Sequence, residues 1–91
     1  MPSSQKTISV NSVSVALLWP ANKRRSYVTI QNQSTLDIII NIGGTPSDAN
    51  GLVIPPGEEW SPVNPPKGDI RVIGIAATGA FQKLFSAEES L

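Results

Sequence analysis

The chain has no cysteine and no histidine in 91 residues. That excludes disulfide staples, the thiol nucleophile, the usual imidazole base and the commonest metal ligands together. Charge is also scarce. Charged residues make up 15% of the sequence and balance to a formal net charge of zero, against about 25% in an ordinary soluble domain. The basic excess expected of a nucleic-acid binder is missing. No run approaches the roughly 18 consecutive apolar residues of a membrane helix. The polar start, Met1 to Gln5, reads against a signal peptide.

What remains is a strand-former's palette. The row holds ten Ile and seven Val, gathered in short alternating runs that suit half-buried strands. Ile8, Val10, Val13, Val15 and Leu17 alternate with Ser and Thr, apart from a one-residue slip at Asn11 and Ser12. This predicts one long or two short strands with a bulge or turn between them. Arg25 to Asn32 and Leu36 to Ile42 are the next two runs, the second with Leu36, Ile38, Ile40 and Ile42 on one face and Asp37, Ile39 and Asn41 on the other. Gln33-Ser34-Thr35 between them reads as a tight turn, so the pair is expected to form an antiparallel hairpin at the centre of the core.

Further along, Gly43 to Gly51 reads as a surface loop, Leu52 to Ile54 as a short strand, and Pro56-Gly57 as the centre of a type II turn leading to Glu59 and Trp60. Pro62 to Gly68 carries three of the eight prolines and is expected to be a connector. Asp69 to Ala77, rich in Ile or Val on both faces, and Ala80 to Ser86 complete the strands. The expected fold is all-β, a small antiparallel sandwich or barrel of about seven to eight strands. Residues 1–18 are read as an N-terminal strand or arm, 19–86 as the domain, and 87–91 as a flexible tail.

None of the familiar catalytic constellations is complete. Glu58 and Glu59 are adjacent, so in a strand they point to opposite faces. Asp48-Ala49-Asn50-Gly51 begins like a calcium loop, but the remaining ligands are absent and an Asx turn is the better reading. Gly43-Gly44 lacks the helix and Lys-Ser or Lys-Thr pair of a phosphate loop. The expectation is no enzyme activity, no cofactor, no metal site, no nucleic acid and no membrane partner.

Lys23-Arg24-Arg25 is the sole basic cluster; three cations at a turn read first as a solvated hairpin end, with a phosphate contact or a contact to an acidic neighbour as the alternatives. Trp19 and Trp60 are candidates for core packing, for an interface or for sugar stacking. Asn32-Gln33-Ser34 matches a glycosylation sequon, which has no consequence without secretion.

Ala21-Asn22, Arg24-Arg25, Val28-Thr29-Ile30-Gln31-Asn32, Gly43-Gly44, Pro55-Pro56-Gly57-Glu58 with Trp60, and Pro66-Lys67-Gly68-Asp69-Ile70 carry a resemblance over roughly residues 21–80. The chain resembles small tailed-bacteriophage virion proteins. The resemblance implies a β module on a virion surface, most often a capsid decoration or cement protein, with the major capsid protein and its own copies, often as a trimer, for partners. It also implies synthesis in the host cytoplasm. Alternatives within it are a head-fibre or tail module that binds a host glycan through Trp19, Tyr27 or Trp60, and a tail or neck accessory component.

On this reading, contacts are expected from the N-terminal arm, with Ile8 and Val10, and from Trp19, Arg24 and Arg25. Trp60, and Pro65 and Pro66 in the proline-rich loop, are the other candidates, together with the Gly43 to Gly51 loop. An arm that adds a strand to a neighbour's sheet and a first strand of the same domain are both open readings of Met1 to Leu18.

Overall fold

The computed structural model of the chain describes residues 3–44, 51–77 and 79–91. It contains eight strands: β1 Ser3–Val10, β2 Ala16–Trp19, β3 Arg25–Asn32, β4 Ile38–Ile42, β5 Leu52–Ile54, β6 Glu59–Trp60, β7 Ile70–Gly74 and β8 Gln82–Ser90. They form two four-stranded antiparallel sheets, in the orders β1-β8-β3-β6 and β2-β7-β4-β5. Of the consecutive strands, β4 and β5 alone are hydrogen-bonded neighbours. Every other connection crosses from one sheet to the other, which is the wrapped eight-strand order of a jelly roll.

Alternation explains which side chains face inward. Val10, Val28, Ile30 and Leu84 from the first sheet meet Leu18, Ile38, Ile40, Ile70 and Val72 from the second, and all are buried. Burying a side chain of this size contributes about 1.5–3 kcal/mol, so these strands are held by their inward rows. Between Leu17 and Trp19 the β2–β7 register shifts by one residue. That bulge lets the consecutive Leu18 and Trp19 both turn inward.

The slip at Asn11 and Ser12 is the corner between sheets. The chain leaves the first sheet at Val10 and enters the second at Ala16. The expected hairpin of residues 25–32 with 36–42 does not form, because β3 lies between β8 and β6 while β4 lies between β7 and β5. Asn32 redirects the chain: its amide donates to Leu36 O at 2.7 Å and Ile54 O at 2.9 Å, and its Oδ1 accepts from Ser34 N at 2.9 Å. Ile30 and Ile38 meet in one interior from the two facing sheets.

The expected division of the chain is corrected at both ends. β2 runs through the boundary expected at residue 18, and β1 pairs with β8 in continuous register from Ser3↔Glu89 to Val10↔Gln82. Residues 87–90 are no loose tail either. They belong to β8, which is hydrogen-bonded to β1 on one side and β3 on the other.

The Pro56-Gly57 turn forms as expected, with Glu58 N donating to Pro55 O at 3.1 Å and Gly57 at φ 78°. Nothing stands within 4 Å of where a Cβ at Gly57 would lie. Gly57→Ala is therefore expected to cost only the left-handed backbone term, about 1–2 kcal/mol, read from the urea unfolding midpoint. A chemically synthesised chain with D-alanine at the same position should recover that loss.

Candidate functional site

The sandwich has two ends and two outer faces, and each end is closed by buried polar side chains. At the end carrying the β2–β3 and β6–β7 connections, Arg25 is 0% exposed. Its Nε donates to Glu88 Oε2 at 2.7 Å, Nη1 to Pro66 O at 2.5 Å and Gly68 O at 2.9 Å, and Nη2 to Pro20 O at 2.9 Å. The Lys67 ammonium donates to the Arg25 carbonyl. Asn22 adds a bond from Nδ2 to Ser90 Oγ at 2.7 Å. A planar five-donor group suits such a ring of acceptors in a way that a lysine would not.

At the opposite end, Gln82 does the equivalent work. Its Oε1 accepts from Ile75 N at 2.5 Å and Ala76 N at 2.7 Å, and its Nε2 donates to Asp37 O at 2.7 Å. Gly74 leaves the room this needs, since a Cβ there would lie 2.5 Å from Gln82 Oε1. No buried side-chain N or O atom among the described residues lacks a partner. Among those residues there is also no group of three His, Cys, Asp or Glu placed to hold a metal ion.

These closures change the standing of several expected contact residues. Arg25 is a structural clasp with its donors taken up inside the chain, so the basic cluster is divided and Lys23 and Arg24 are its exposed members. Trp19 is 5% exposed, donates from Nε1 to Ser86 Oγ at 2.7 Å, and offers no face for a sugar. The Lys6 ammonium stands 4.2 Å from its ring centroid. Val10 is core, Ile8 and Trp60 pack half-buried against it, and Pro65 and Pro66 are half-buried. In the proline-rich loop the protruding residue is Val63, 95% exposed. Of the Gly43 to Gly51 loop, residues 45–50 lie outside the described residues.

The two outer faces differ in kind. On the first sheet the outward row of β1 is Gln5, Thr7 and Ser9, facing Ala87, Phe85 and Lys83 of β8, with Thr29 and Gln31 of β3 beyond. On the second sheet Ile39 lies between Val53 of β5 and Ile73 of β7, and Leu17 of β2 stands beside Arg71. Their sequence neighbours Ile38, Ile40 and Val72 are fully buried, so Ile39, Val53 and Ile73 point outward, with Ile39 itself covered to 4% exposure and Ile73 half-buried. Val53 is 49% exposed, with Leu17, Val15 and Ile75 also open. The charge on this face is the Arg71–Asp69 pair at 3.0 Å.

A shallow groove of about 410 Å³ opens beside the first corner, between Val13 and Phe81 with Ser9, Asn11 and Gly79. The apolar outer face was partly legible: Ile39 opposite Ile38, and a β7 run apolar on both faces, were visible in the alternation. The clasps Gln82 and Asn32 were not, because their partners are distant backbone atoms.

No family model matches the chain, and no curated protein matches it. Among solved structures, a de novo designed double-stranded β-helix studied by solution NMR is similar, with TM-score 0.61 at 19% identity, covering 94% of this chain and 99% of that one. A chain from Bacillus endospore appendages, described as a novel family of disulfide-linked pili, aligns with TM-score 0.44 at 14% identity, over 98% of this chain and 88% of that one. The first likeness concerns the fold alone, and the second is too distant to carry an argument. Neither neighbour is a virion protein.

Proposed function

We propose that this chain is a structural subunit of a virion surface, a decoration or cement protein that binds the outside of a phage capsid through protein contacts and without chemistry. The observation that carries this reading is the apolar outer face of the second sheet, where Val53, Leu17 and Ile75 stand exposed. An antiparallel sheet with one face in the core ordinarily turns a polar face to water, as the first sheet does here. An apolar one marks a surface that another protein covers. The resemblance of residues 21–80 to small phage virion proteins supplies the kind of partner.

The experiment is to add purified chain to capsids assembled without it and count bound copies. Native chain is expected to saturate a regular lattice of sites. Val53→Asp is expected to weaken binding about tenfold or more, because a carboxylate would be desolvated without a partner. Its melting temperature should stay within a few degrees of native, since Val53 is half exposed. Native chain that does not bind, or Val53→Asp that binds equally well, would overturn the reading.

A further inference from the structure

Each sheet has two edges, and three of the four are blunted. β6 is two residues long and is followed by Pro62. β5 is three residues, ended by Pro55, and β2 is four residues, bulged and ended by Pro20. Shortness, proline and bulges are the devices by which proteins keep a sheet edge from pairing with another chain. β1 has none of them. It is eight residues long, regular along its whole ladder with β8, and free of proline.

An inward-pointing lysine is a further such device, but Lys6 is turned over the rim of the sheet. Its Nζ donates to Leu18 O at 2.6 Å and sits against the Trp19 ring. Its charge therefore closes the corner between β1 and β2 rather than guarding the edge. The outward residues Gln5, Thr7 and Ser9 are exposed and uncharged.

We infer that β1 pairs antiparallel with β1 of a second copy about a twofold axis, joining two first sheets into one continuous eight-stranded sheet. Side-chain parity restricts the register, because residues directly opposite must lie on the same face. A Lys6-centred register would set two lysines against each other, and like charges directly opposite are destabilising. Centring on Thr7 places Thr7 against Thr7, Gln5 against Ser9, and Lys6 against Ile8. Threonine pairs and small polar pairs are favourable across strands, and the lysine stem covers the half-buried isoleucine.

A second copy fits this edge because the strand is complementary to itself at each of these positions. The chain's net charge of zero adds no repulsion between copies. The pairing goes beyond the proposed function and stands on the edge geometry alone.

Sedimentation equilibrium of the native chain is expected to show a reversible dimer. Thr7→Lys, at an exposed site, should raise the dissociation constant about tenfold or more with little change in melting temperature. An equimolar mixture with Thr7→Glu should restore dimers. Opposed residues in an antiparallel pair stand about 4.5–5.5 Å apart at Cα, within disulfide reach. Since the chain has no cysteine of its own, Thr7→Cys should give a covalent dimer on oxidation. Gln5→Cys should do so only when mixed with Ser9→Cys.

A native chain that stays monomeric at several hundred micromolar, a dimer indifferent to Thr7→Lys, or a Thr7→Cys that does not cross-link would each overturn the pairing. A monomeric Thr7→Lys that still binds capsids separates this edge from the shell-binding face.

Discussion

Arg25→Met is expected to leave the chain largely unfolded at room temperature. Losing one partner of a buried ion pair costs about 3–5 kcal/mol, and a small domain has only about 5–15 kcal/mol of stability in total. The substitution leaves Glu88 without its 2.7 Å partner and removes the donors that serve Pro20, Pro66 and Gly68. Those acceptors belong to two connections that no strand ladder ties to β3. Urea titration followed by far-UV circular dichroism is the measurement. Arg25→Lys should rescue little, because one ammonium cannot reach acceptors spread around a plane. Arg25→Met with Glu88→Leu should recover part of the loss, since no buried charge is then left alone, but the three carbonyls still lack donors. A single variant as stable as native would show that the clasp contributes nothing.

Gln82→Leu should be nearly as damaging, although it preserves the volume of the side chain. The amides of Ile75 and Ala76 would both lose their acceptor, and Asp37 O its donor. Each buried group left unsatisfied costs about 1–3 kcal/mol, and because the bonds of Ile75 and Asp37 are only part-buried, a total at the low end, roughly 3–4 kcal/mol, is expected. Native-state hydrogen exchange gives a local readout. Protection of the Ile75 and Ala76 amides should collapse in Gln82→Leu even under conditions where the Val28 and Ile30 amides at the sheet centre still exchange slowly. Unchanged exchange at Ile75 and Ala76 would remove Gln82 from the role given to it.

Strand content and face assignment were written in the alternation of β-branched residues. Ile38 and Ile40 in, Ile39 out, could be read directly. Strand pairing could not, because alternation is indifferent to whether two neighbouring runs lie side by side or face to face. Asn32 decides between them with hydrogen bonds to residues 34, 36 and 54. The same limit applies to Arg25. In a run of three cations it reads as solvated, and its partners at 20, 66, 68 and 88 leave no local trace. Residues 87–90 were misread on composition alone. A polar strand end looks like a tail until Glu88 is matched with Arg25 and Ser90 with Asn22.

The position of β8 also sets an order in time. β1 and β3 are both complete within the first 32 residues, yet the strand that lies between them begins at Gln82. The other three strands of the first sheet, β1, β3 and β6, are all made before β8, so the slot between β1 and β3 has no occupant until β8 is synthesised. Long-range pairing of this kind must close large loops before any contact rewards it, which makes folding slow. The edges of β1 and β3 that face this slot therefore stay open until residues 82–90 arrive, and only then does the first sheet close.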